Sequence, residues 1–178
     1  ELYQSMLEDA LSKMRSGELE GLSDFDDNWA PQINLGVPVL IPDKYVSDLD
    51  TRLGLYRRLS GLTSKVELEG FAAELIDRFG ELPREVNTLL LVVRIKAMCK
   101  RAQISKFDCG PKGATIQFYN NKFKSPSGLV TFIDKENGNA KIRDNKLVVI
   151  RSWAKDRDRI RGSFNLAKDL AKLAQAKN

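Results

Sequence analysis

Leu89-Leu90-Leu91-Val92-Val93-Arg94-Ile95-Lys96-Ala97-Met98-Cys99-Lys100-Arg101-Ala102-Gln103-Ile104-Ser105-Lys106-Phe107 decides the fold, because its character changes partway. A helix over about Pro83 to Ala102 contains Leu89 to Val93, apolar on every side, as a buried central helix requires. From Ile104 to Phe107, and again from Ala114 to Tyr119, β-branched and aromatic residues flank the turn Gly110-Pro111-Lys112-Gly113 and read as two strands. The chain therefore passes from helix to sheet near residue 103.

Upstream the helical signals continue. Ser64-Lys65-Val66-Glu67 is a capping box, in which the serine oxygen takes the Glu67 amide and the glutamate reaches back. Leu68, Phe71, Ala72, Leu75, Ile76 and Phe79 then fall on one stripe, with Gly80 past the end and Pro83 in the first turn of the next helix. The spacing predicts one core made of Leu75, Ile76, Phe79, Leu89, Leu90 and Val93, shared by these two helices. Asp48 or Ser47 caps an earlier helix carrying Leu49, Leu53, Tyr56 and Leu59 and ending at Gly61. Ile33 to Ile41, broken by Gly36 and Pro38, predicts a short edge strand. Residues 1–15 read as a helix with Tyr3, Leu7, Leu11 and Met14 on one face.

Downstream, Ser127 to Lys135 predicts a short helix. Ala140 to Arg143 and Leu147 to Arg151 flank the hairpin pair Asp144-Asn145. A last helix from about Ala154 carries Ile160, Phe164, Ala167, Ala171 and Ala174, with Gly162 as a weak point. The fold class is α+β: helices first, then a ββαββα portion whose small sheet packs on helices.

Composition narrows the function. With 178 residues the chain can bury a core without disulfide or metal. The absence of histidine removes Ser-His-Asp and Cys-His nucleophiles and most zinc and iron sites. No Walker loop occurs, so there is no phosphate cradle for ATP. Asp24-Phe25-Asp26-Asp27-Asn28-Trp29 begins like a calcium loop but fails it, with Trp29 where glycine is needed and Leu35 where a bidentate glutamate belongs. Cys99 and Cys109 lack metal-ligand spacing and read as ordinary core residues. No cofactor is implied, and no residue pattern supports an enzyme. With no apolar run long enough to span a membrane and no visible signal segment, the expected location is cytoplasmic. The chain lacks an initiator methionine and opens inside an apparent helix, so it is expected to be a fragment of a longer protein.

Charge is uneven. Residues 1–89 carry 9 basic and 17 acidic side chains, and residues 90–178 carry 20 and 7. Three readings stand: a nucleic-acid-binding second half, two lobes that attract each other, or basic solvated helix faces. The nucleic-acid reading rests on Lys96, Lys100, Arg101, Lys106, Lys155, Arg157, Arg159 and Arg161. On the helix after Ser64, Glu74, Asp77 and Arg78 lie together off the apolar stripe. They form either a solvated face or a mixed-sign patch for a charged partner, and the two acids disfavour phosphate there.

Ile41-Pro42-Asp43-Lys44-Tyr45-Val46, followed by Arg52-Leu53-Gly54-Leu55-Tyr56-Arg57-Arg58-Leu59, closely resembles a segment from the C-terminal domain of bacterial transcription-repair coupling factors. Glu74-Leu75-Ile76-Asp77-Arg78-Phe79-Gly80-Glu81-Leu82-Pro83 matches a second motif of that family. The resemblance covers most of residues 33–120 and fades after Tyr119. It implies residues 1–16 as a linker helix from a motor module and 33–178 as a non-catalytic regulatory domain. The stretch 17–32 between them, acidic and turn-rich with Gly17, Gly21, Asp24, Asp26 and Asp27, reads from its composition as a connector. The family's whole protein is an ATP-driven DNA translocase that displaces stalled RNA polymerase and recruits excision repair. Its C-terminal domain packs on an N-terminal module resembling excinuclease B, hiding the surface that binds excinuclease A and restraining the motor. Carried over by position, the resemblance makes Glu74, Asp77 and Arg78 the inter-domain contact.

Overall fold

The computed structural model describes residues 29–175. The expected helix over 1–15, most of the acidic connector and the failed calcium loop up to Asn28 lie outside the described residues. The order is β1 (Gln32–Asn34), α1 (Leu49–Ser60), α2 (Lys65–Phe79), α3 (Arg84–Arg101), β2 (Ile104–Gly110), β3 (Gly113–Phe118), α4 (Pro126–Lys135), β4 (Ala140–Arg143), β5 (Lys146–Ile150) and α5 (Asp156–Gln175).

Local chemistry starts α1 and α2 where the sequence places them. The Asp48 carboxylate accepts from the Thr51 amide at 2.8 Å and its hydroxyl at 2.6 Å, opening α1. The Ser64 hydroxyl accepts from the Glu67 amide at 3.1 Å while Glu67 accepts from the Ser64 amide at 3.2 Å, so the capping box forms whole. Gly80 follows α2 with φ of 94°, a conformation that disfavours side chains with a Cβ. Pro83 stands just before α3 as its cap rather than inside its first turn, a boundary shift of one residue.

The strands run β1-β2-β3-β5-β4 across one sheet, with β1 parallel to β2 and the other pairs antiparallel. β1 is three residues long and lies at the edge, as its glycine and proline neighbours require. Asp144 and Asn145 take φ of 52° and 63°, the left-handed pair that a two-residue hairpin needs. Alternation along β2, β3 and β5 turns Ile104, Phe107, Ile116, Leu147 and Val149 to a face covered by α3 and α5. The other face carries Lys106, Asp108, Thr115, Gln117 and Lys146 together with Val148 and Ile150.

The core departs from the expected set in one respect. Leu75 and Leu89 are fully buried and Val93 nearly so, but Leu90 and Phe79 are only partly covered and Ile76 is 50% exposed. The reason is that α3 lays its buried side against the sheet and α5 rather than against α2. Gly162 is likewise no weak point. A Cβ there would lie 2.3 Å from Trp153 Nε1, so the indole packs onto the α5 backbone where only glycine fits.

Trp29 stacks on Tyr119 at 4.4 Å with planes 9° apart, and Lys100 Nζ sits 3.8 Å from the Trp29 ring centre. This pins the entering chain to the C-terminal end of α3.

Candidate functional site

The C-terminal half of α2 exposes the three charged residues singled out by spacing. Glu74 and Arg78 meet, with Arg78 Nη1 donating to Glu74 Oε2 at 3.0 Å. Asp77 is exposed beside them, with no ion-pair partner among the described residues. The stronger partner of Glu74 comes from another helix. Arg58, in the last turn of α1, donates through Nη1 and Nη2 at 2.6 Å and 2.8 Å, a two-pronged clamp.

These contacts hold the Glu74 carboxyl down to about 2, first through the Arg58 hydrogen bonds and then through Arg78. The guanidiniums are themselves steadied: Arg58 lies 5.2 Å over the Phe71 ring and Arg78 4.8 Å over Phe79. Ile76 stands exposed within the same half of the helix. The result is a pre-ordered patch of two cations, two anions and one aliphatic side chain.

The Ile-Pro-x-x-Tyr motif explains the patch's position. The Tyr45 hydroxyl donates to the Gly80 carbonyl at 2.7 Å, with the Leu75 carbonyl at 3.1 Å, and its ring meets Phe79 at 5.7 Å. It therefore anchors the end of α2. Arg52 donates from a buried position to the Val46 carbonyl at 2.8 Å, and the Tyr56 hydroxyl accepts from the Ile41 amide at 2.7 Å. Sequence spacing missed Arg58 and Tyr45, because contacts 16 and 35 residues apart leave no periodic trace. The only available signal was their place in the two motifs.

The basic residues named for the second half differ in exposure. Arg159 is buried, donating to the carbonyls of Leu35 at 3.1 Å and Trp153 at 3.1 Å, so it is unavailable to phosphate. Lys100 is engaged with Trp29, and Lys106 approaches Asp108 at 3.7 Å. This removes Arg159 from the expected series, while Lys106 stays exposed beside its acidic neighbour. Arg157 and Arg161 remain at the surface, lining a groove with α3. Among the described residues no group of three His, Cys, Asp or Glu is placed to hold a metal ion, and no helix is long and apolar enough to cross a membrane.

A family model described as the TRCF domain matches residues 35–129, more than half of the chain. The transcription-repair-coupling factor of Rickettsia bellii is 44% identical over 152 residues, covering 85% of this chain and 13% of that protein. Its Escherichia coli counterpart is 33% identical over 135 residues, 76% of this chain and 12% of that one. The chain thus spans about an eighth of these relatives' length. A crystal structure of the C-terminal domain of a transcription-repair coupling factor matches with a TM-score of 0.70 over 84% of this chain and 97% of that one. At 24% identity that likeness speaks for the fold.

Proposed function

Because the chain belongs to the TRCF domain family of transcription-repair coupling factors, we propose that it is that factor's non-catalytic, autoinhibitory interaction domain. Residues 33–178 form the regulatory domain, reached from the motor module through residues 1–16 and the acidic connector 17–32. It docks within the same protein on the N-terminal module resembling excinuclease B. Docked, it covers the surface that takes excinuclease A and holds the translocase motor back until RNA polymerase is engaged. DNA is handled by the motor elsewhere in the full protein, in the cytoplasm.

The observation that carries this reading is the pre-ordered patch of Glu74, Asp77 and Arg78. Arg58 and Tyr45 hold the helix end in place before any partner arrives, so little side-chain freedom is lost on docking. Asp77 offers an uncommitted anion, the outer edges of Arg58 and Arg78 offer donors, and Ile76 offers an apolar contact. A partner presenting the opposite pattern gains register from the charges.

The test uses the whole factor with Glu74, Asp77 and Arg78 changed together to alanine. The variant should capture excinuclease A without polymerase and turn over ATP faster at rest. A conformer populated at about 1% rises several-fold when one to two kcal/mol of differential contact is lost. Glu67→Ala is the control: it weakens the α2 cap but not the patch, and should stay closed. A triple variant as closed as the parent would reduce the patch to a solvated helix face.

A further inference from the structure

Away from that patch, the N-terminal halves of α3 and α5 leave between them a groove of about 970 Å³. Leu91, Ile160 and Phe164 form its apolar part, and Arg84, Arg157 and Arg161 surround it. A fourth guanidinium, Arg94, lies 4.6 Å over the Phe164 ring. Arg84, Arg157 and Arg161 have no ion-pair partner among the described residues, and the one acid in the lining, Asp156, leans toward Arg159 at 3.9 Å. Three unspent cations around an apolar floor fit an acidic segment with apolar anchors. They fit a nucleic acid poorly, because the phosphate backbone has nothing for the floor.

Such a segment stands in this chain. Gly17-Glu18-Leu19-Glu20-Gly21-Leu22-Ser23-Asp24-Phe25-Asp26-Asp27-Asn28 has five acids, no base, and Leu19, Leu22 and Phe25 three residues apart. It joins the described chain at Trp29, which is fastened to Lys100 near the end of α3. Thr88, beside the groove, lies about 18 Å back along the α3 axis. Twelve residues can reach about 40 Å, enough to pass round the helix. We propose that residues 17–28 bind this groove, with the acids on Arg84, Arg157 and Arg161 and the apolar side chains on Leu91, Ile160 and Phe164. The contact ties the segment leading out of the domain to its two helices. It does not depend on the role given to Glu74.

The intact 178-residue chain suffices for the test. Cys99 and Cys109 are buried, so a nitroxide on an introduced Ser23→Cys is the one reactive label. Amide signals of residues 84–91 and 157–165 should broaden, and recover when the nitroxide is reduced. Arg157→Glu with Arg161→Glu should cut the broadening at least several-fold, as should about 0.5 M NaCl through screening. Arg143→Glu, on β4, should not. Asp24→Asn, Asp26→Asn and Asp27→Asn together alter only the segment and should release it without touching the folded part. Absent or uniform broadening, or broadening that survives these changes, overturns the proposal. So does salt-sensitive binding of duplex DNA that the Arg157 and Arg161 changes abolish, which would reassign the groove to nucleic acid.

Discussion

Glu74 shows how much one side chain can be altered by a neighbour that spacing does not place beside it. On α2 alone it would have a single i,i+4 partner, Arg78, with a modest effect. The two-pronged hold of Arg58 is the larger cause, and Arg78 the second, of a carboxyl taken from the ordinary 4.5 to about 2. A carboxyl depressed in the folded state adds stability above its unfolded value and loses it as pH falls through the folded value. Its contribution is therefore complete above about pH 4.5 and gone below about 2. A carbon-detected NMR titration should show Glu74 protonating well below the ordinary 4.5. Arg58→Ala should raise the midpoint toward the ordinary value by more than Arg78→Ala does. Equal midpoints in the two variants would mean that the α1–α2 contact does not persist in solution.

At the scale of elements, packing partners decide what a helix pattern leaves open. Leu89 and Leu90 are adjacent and identical in type, yet Leu89 is fully buried and Leu90 is not. Leu89→Ala should cost about 2–5 kcal/mol, and Leu90→Ala clearly less, in urea melts followed by circular dichroism. Equal losses would mean that α3 is rotated about its axis. Gly162 offers a second comparison. Alanine inside a helix is ordinarily better than glycine by about 1 kcal/mol. Here the new methyl would strike Trp153, so Gly162→Ala should destabilise. Near-ultraviolet dichroism from the indole should change with it. A gain in stability would place Trp153 away from α5.

For the whole molecule, the two cysteines report on closure of the core. Cys99 faces inward from α3 and Cys109 from β2, and burial pushes both thiols upward from their ordinary value. The thiolate is the reactive form, so neither should react with a thiol-specific disulfide reagent at pH 8 in the native state. Both should react once denaturant opens the sheet from α3 and α5, and at one rate if the domain unfolds as a unit. Rapid native-state labelling would show that the α3–sheet layer opens locally.

Element order and most element ends were legible along the chain, because these depend on neighbours within a few residues. The Asp48 and Ser64 caps, the Asp144-Asn145 turn and the break of period near residue 103 are all local effects. Two long motifs carried the family. Tertiary structure alone decided which charges remain available. Arg159 reads as one of a basic series and is buried on backbone carbonyls, while Arg157 and Arg161 on the same helix are left at the surface. It also decided that Arg58 and Tyr45 shape the patch, that Gly162 makes room for an indole, and that Ile76 faces water. Each of these depends on the distance between residues far apart in the chain, and that distance exists only once the helices have packed.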